Sequence, residues 1–147
     1  MREADLQKRL TRFLKGRVWK EMMVDLGLDA IGVEVKFSRG QTIPYSEIKE
    51  GQVVALLHAG GSSSRALVHK ISDSAIGYKP FDCFVMYGCA AWFIFGYENG
   101  KKVYAIEVSD VEAEMYTDGG RRRRGSFKME WAEENAVMDL SKWVGVS

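Results

Sequence analysis

Leu6, Leu10, Phe13 and Leu14 recur at helical spacing while Lys8, Arg9, Arg12 and Lys15 coat the remaining surface, which predicts an amphipathic helix over residues 3–15, ended by Gly16. Residues 18–26 fit either a short helical turn or an extended arm. The pattern then changes period. Over residues 31–37 apolar and polar positions alternate, so Ile31, Val33, Val35 and Phe37 share one face of a strand and Glu34 and Lys36 share the other. Residues 38–41 read as a loop. Ser46, after Pro44-Tyr45, is placed to cap a second helix running through Leu57 to Gly60-Gly61, with Ile48, Gln52, Ala55, Leu56 and Ala59 on one face. Gly51 weakens that helix.

Residues 66–71 predict a strand and 72–79 a loop. The runs 81–87 and 90–97 are apolar enough to be core strands. Asn99-Gly100 is a two-residue hairpin signal, with 102–108 as the returning strand. Beyond Asp118-Gly119-Gly120 come Arg121, Arg122, Arg123 and Arg124, a basic loop near 117–126. Ser126 is placed to cap a C-terminal helix carrying Trp131, Ala132, Ala136 and Leu140. This order predicts one α/β domain, a mixed central sheet flanked by helices.

Composition narrows the function classes. A chain of 147 residues is long enough for one domain with a real core. With 21 basic and 20 acidic residues the net charge is +1, so any nucleic-acid contact must rest on local patches rather than on an overall field. Cys83 and Cys89 lack metal-ligand spacing and read as buried thiols of a reducing compartment. The charged N-terminus carries no signal-peptide pattern. The uncharged run 83–97 is shorter than the roughly 20 residues a membrane helix needs.

Glu34 beside Lys36 on one strand face is the arrangement a metal-dependent nuclease uses: a carboxylate to hold a divalent cation, and an ammonium beside the scissile phosphate and its attacking water. Glu-x-Lys also occurs on solvated strand faces, and a second copy, Glu47-Ile48-Lys49, falls in the predicted second helix. The arginine run fits a flexible loop that neutralises backbone phosphates, together with Arg9 and Arg12 of the first helix, or a solvated connector. His58 and His69 have no matched partners and read as structural, and the four tryptophans read as packing residues.

The stretch Gly32-Val33-Glu34-Val35-Lys36, followed by the block from Ile43 to Gln52, resembles the core of the PD-(D/E)xK nuclease superfamily, within it the phage-type Holliday-junction resolvase-like proteins. Two further blocks share the likeness, one from Lys70 through Lys79-Pro80-Phe81-Asp82-Cys83-Phe84, the other from Arg124 to Ala132. The resemblance implies a restriction-endonuclease-like core, a Mg2+ (or Mn2+) ion held by Glu34, Asp82 and Glu3, and catalysis by Glu34, Lys36, Asp82 and Gln52. It also implies a homodimer cutting branched or duplex DNA in the cytoplasm of a phage-infected or prophage-carrying bacterium. Relatives usually place the first aspartate on a strand before the E-x-K strand; here Asp29 is the nearest upstream acid and Asp82 follows. Gly51 stands where relatives often have histidine. The bland roles stay open for each residue: Asp82 as a turn cap, Glu3 as a helix-dipole partner, Gln52 as a core amide, Asp73 as a loop residue. A nuclease fold kept for binding DNA or a protein, or an inhibitor of host defence, is the alternative function.

Overall fold

The computed structural model describes residues 1–26, 31–60, 67–69, 84–86 and 90–147. Asp29, Asp73, Asp82, Cys83, Cys89 and the loop 72–79 lie outside the described residues, as do the side chains of His58 and His69.

Helix α1 spans Glu3–Leu14 and α2 Arg17–Leu26. The first is anchored at its start by Asp5, whose Oδ2 accepts the Arg2 backbone N–H at 2.9 Å, one half of a capping box. The segment that fitted either a turn or an arm is thus helical, held by an Arg17–Glu21 ion pair at 2.8 Å and by burial of Trp19 against Phe13 and Trp92.

Strand β1 is Ile31–Phe37, β2 Thr42–Pro44, and a short turn Tyr45–Glu47 leads to α3, Glu50–Gly60. Strands β3, Leu67–His69, and β4, Phe84–Met86, pair with each other in antiparallel fashion. Then come β5, Ala90–Tyr97, β6, Lys102–Glu107, α4, Val108–Met115, β7, Ser126–Lys128, α5, Met129–Asn135, β8, Met138–Asp139, and α6, Ser141–Val144.

The main sheet has the order β1-β5-β6-β8. β1 runs parallel to β5, with Glu34 beside Phe93 and Lys36 beside Phe95, and the other two pairings are antiparallel. The α/β class expected from the sequence, a mixed sheet flanked by helices, is therefore the observed one. Strand alternation sorts the core into two layers. Trp92, Ile94, Val103 and Ala105 pack with Leu6, Leu10, Trp19, Leu140 and Val144 on the α1, α2 and α6 side. Phe93, Phe95, Tyr97, Tyr104 and Ile106 pack with Val53, Leu56, Ala59, Val111 and Ala132 on the α3, α4 and α5 side. No helix among the described residues is long and apolar enough to cross a membrane.

Four expectations are corrected. Ser46 does not cap the second helix: it sits in the Tyr45–Glu47 turn, Ile48 is extended and fully buried, and the helix starts at Glu50. The second Glu-x-Lys is therefore split between that turn and an extended residue. The hairpin is wider than an Asn-Gly turn, because Tyr97 pairs with Lys102 and Glu98, Asn99 and Gly100 all take positive φ. Ser126 lies in β7 rather than at a helix start, and the single C-terminal helix is replaced by α5, β8 and α6. Val108 opens α4, a helix that the strand reading had ended upon.

Candidate functional site

Alternation in β1 aims Glu34 and Lys36 at the α3 side of the sheet, beside Phe93 and Phe95. Gln52 stands in the first turn of α3, and its side chain closes the group: Nε2 donates to Glu34 Oε1 at 2.9 Å. The amide is oriented from behind, because its Oε1 accepts the Lys49 backbone N–H at 3.2 Å. With the carbonyl oxygen occupied there, the NH2 end faces the carboxylate. Lys36 Nζ lies 3.8 Å from the same Glu34 oxygen. Its side chain is only 11% exposed against 32% for Glu34, and Lys36 is the one charged residue buried among those described. Both contacts fall on Oε1, so Oε2 has no hydrogen-bond partner among the described residues.

The electrostatics follow from this placement. Burial raises the Glu34 carboxyl above its ordinary value, the Lys36 ammonium pulls it back, and the negative charge of Glu3, in the first turn of α1, raises it again. Glu34 and Glu3 are like charges in one neighbourhood, and their fields add in attracting a cation. Their oxygens are also the hard donors magnesium prefers, and an ion that keeps most of its waters needs only one or two of them. Among the described residues no group of three or more His, Cys, Asp or Glu side chains is gathered for a metal. Carboxylates are the donor type such an ion takes; Glu34 stands on β1, Glu3 on α1, and Asp82 lies outside the described residues.

The basic residues separate into distinct situations. Arg9 is turned inward: its Nε donates to the Val144 carbonyl at 2.7 Å and its terminal nitrogen to that of Gly145 at 2.6 Å, closing the last turn of α6. Arg12 is exposed in the last turn of α1. Arg121–Arg124 lie in the loop from α4 to β7, where Tyr116 and Arg122 form an isolated bridge. One terminal nitrogen of Arg122 donates to the carbonyls of both Tyr45 and Ile48. Arg123, Arg124 and Gly125 then line a notch with Tyr45 and Ser46.

Tyr45 and Ser46 had no functional weight in the sequence, because they meet the arginine run only through tertiary packing. Tyr45 is held there by three contacts. Its N–H donates to the Gly125 carbonyl at 2.9 Å, its ring packs edge-on to Phe127, and its hydroxyl donates to Glu114 Oε1 at 2.8 Å. Burial, helped by that carboxylate, pushes the phenol up to about 12, so it stays neutral and a donor.

No protein-family model matches the chain, and neither a curated protein nor a solved structure matches it.

Proposed function

We propose that the chain is a metal-dependent DNA endonuclease with a restriction-endonuclease-like core of the PD-(D/E)xK type, acting as a homodimer on branched DNA of the phage Holliday-junction kind. The observation that carries this reading is the convergence of Glu34, Lys36 and Gln52, from a strand and a separate helix, at 3.8 and 2.9 Å around one carboxylate oxygen.

Glu34 would hold a Mg2+ or Mn2+ ion, with Glu3 and Asp82 as the further acids the resemblance implies. Such an ion supplies Lewis acidity toward a phosphoryl oxygen and lowers the pKa of a bound water. The rest of the work belongs to the chain. Lys36 presents a fixed positive charge in a largely desolvated position, where it stabilises the charge that builds on the phosphoryl oxygens during in-line attack. Gln52, clamped by the Lys49 N–H, holds the Glu34 carboxylate in one rotamer and spares it reorganisation during the reaction. The Phe93 and Phe95 wall beside the pair limits water access and strengthens both effects.

The test is cleavage of labelled four-way junction, duplex and single-stranded DNA with magnesium or manganese, wild type beside Glu34→Ala and Lys36→Ala. Metal-dependent cutting that falls about 100-fold or more in each variant is the expected result. A salt-sensitive gel shift with no cutting of any DNA would mean a fold kept for binding, and the catalytic assignment would fall.

A further inference from the structure

The arginine run is the strongest charge feature of the chain, and the carboxylate–lysine site makes no use of it. The loop is fastened at several points. Thr117 N–H donates to the Arg121 carbonyl and Arg123 N–H to that of Met115, each at 2.7 Å, and the Arg122 guanidinium is spent on the carbonyls of Tyr45 and Ile48. Gly125, at φ +133°, lets the backbone lie flat on the Tyr45 ring; a Cβ there would stand 3.3 Å from Tyr45 Cε2. Arg121, Arg123 and Arg124 keep guanidinium nitrogens uncommitted among the described residues, and of these Arg123 and Arg124 line the notch beside Tyr45. Arg123 makes one long hydrogen bond, Nε to the Tyr116 carbonyl at 3.4 Å, and the Arg124 side chain makes none among the described residues. None of the four arginines is paired with a carboxylate among the described residues.

These side chains, with Tyr45, Ser46 and Gly125, line a notch of about 460 Å3. No acid lines it. The nearby Glu114 is occupied by the Tyr45 hydroxyl. Two available guanidinium groups, a serine hydroxyl and a neutral aromatic wall, open to solvent on a loop fastened by a third guanidinium, make a receptor for a phosphate oxygen and its ester.

We infer that this notch seats a backbone phosphodiester of a nucleic acid, with Arg122 as the positioning residue that fixes the loop and Arg123, Arg124 and Ser46 as the groups that meet the phosphate. The nucleic-acid identity of the ligand rests on the endonuclease reading. The geometry adds a division of labour and a mechanical link. Arg122 grips the carbonyls of Tyr45 and Ile48, and the chain runs directly from Ile48 through Lys49 into the helix turn that presents Gln52 to Glu34. One stiff segment therefore joins the notch to the carboxylate, so a duplex seated in the first is held in register with the second.

The experiment is fluorescence anisotropy of two unrelated labelled duplexes in EDTA, where no cutting occurs, over a series of salt concentrations. Arg123→Gln/Arg124→Gln should weaken both duplexes equally, by roughly tenfold, and make the slope of log K against log salt shallower by about 0.9, the value for one lost phosphate contact. Arg123→Lys/Arg124→Lys should restore the slope, since the salt slope counts neutralised phosphates and a lysine neutralises one as an arginine does. Arg17→Gln/Lys20→Gln removes the same net charge from exposed positions on α2 and should leave the slope as in the wild type. An unchanged slope in the notch variant overturns the inference. So does an equal change in the α2 variant, which would make the effect one of net charge, or binding of a phosphopeptide with no binding of DNA. A protein that cuts no DNA yet shows the notch-dependent slope keeps this inference and loses the endonuclease reading. One that cuts DNA with an unaltered slope does the reverse.

Discussion

Glu34 is held against its own interest. Burial makes its charged form costly, Glu3 adds to the cost, and Lys36 recovers only part of it, so the folded-state pKa lies above the ordinary value of 4.5. Between those two values the folded chain binds more protons than the unfolded one, so this residue's contribution to stability is complete below pH 4.5 and is lost as pH rises through the folded pKa. A neutral isostere keeps the acceptor for Gln52 and removes the charge. Glu34→Gln should therefore melt above the wild type at pH 7, on the order of a degree or two for a domain of this size, with the gap closing as pH falls toward 4.5. Thermal melts by circular dichroism across that range read it directly. A lower melting point at pH 7 would mean that the buried Lys36 needs its counter-ion more than Glu34 resents burial. On the proposed endonuclease reading the same substitution should abolish cutting, so that stability and activity move in opposite directions, as expected where a site is built at the expense of the fold.

The placement of Glu3 depends on how closely α1 lies on the sheet, and that closeness depends on Gly96. It faces the α1 layer opposite Phe37 in the β1–β5 register, and a Cβ there would come 2.5 Å from Leu6 Cδ2. Leu6 is fully buried, so the added methyl group must displace its side chain within the packed layer. Gly96→Ala should cost about 1–3 kcal/mol as an overpacked core does, and Leu6→Ala about 2–5 kcal/mol as a cavity does. The double variant should lose less than the sum by at least about 0.5 kcal/mol, because the shortened side chain admits the methyl group. Urea titration of the cycle checks this, and strict additivity would show that the helix relaxes elsewhere. At this scale the limits of sequence reading are physical. The alternation of β1 and the 3.6-residue spacing of α1 are local patterns, and both elements were legible from them. The start of α3 was not, because Ile48 is drawn out of the helix by core burial and by Arg122, which lies 74 residues away. The C-terminal helix breaks at Ala136 because Val137 N–H and Leu140 N–H reach the carbonyls of Ala105 and Val103 in β6, at 2.9 and 2.8 Å. Such long-range pairing leaves no local signal. Helix α4 did leave one, Val108, Val111 and Met115 at helical spacing, masked by the apolar strand that runs straight into it. Glu34, Lys36 and Gln52 could be named as candidates from the chain, but their meeting at one oxygen could only be seen once α3 was laid on the sheet.

At the scale of the whole molecule, the proposed function sets a requirement that a single chain does not meet. Each chain carries one Glu34–Lys36 pair, whereas resolving a four-way junction symmetrically means cutting two strands related by a two-fold axis. Two copies sharing that axis place two equivalent sites on the junction. The net charge of +1 makes the same point from the side of binding: with little overall field, affinity must come from local basic features such as the arginine loop, and doubling the copies doubles the phosphates engaged. Mixing wild type with a large excess of Glu34→Ala forces nearly every active copy into a mixed pair. Such pairs should nick one strand of a junction at close to the wild-type rate and stall there, so nicked junctions accumulate where the wild type alone yields resolved duplexes. A monomeric enzyme under the same excess would be slowed by competition for DNA, but would still deliver both cuts from its active copies. Gel analysis of products on a cruciform plasmid separates the cases, since one cut relaxes the circle and two cuts within one binding event linearise it. Linear product that persists at the unmixed proportion under excess Glu34→Ala would remove the dimer and leave the single-site chemistry of Glu34 and Lys36 standing.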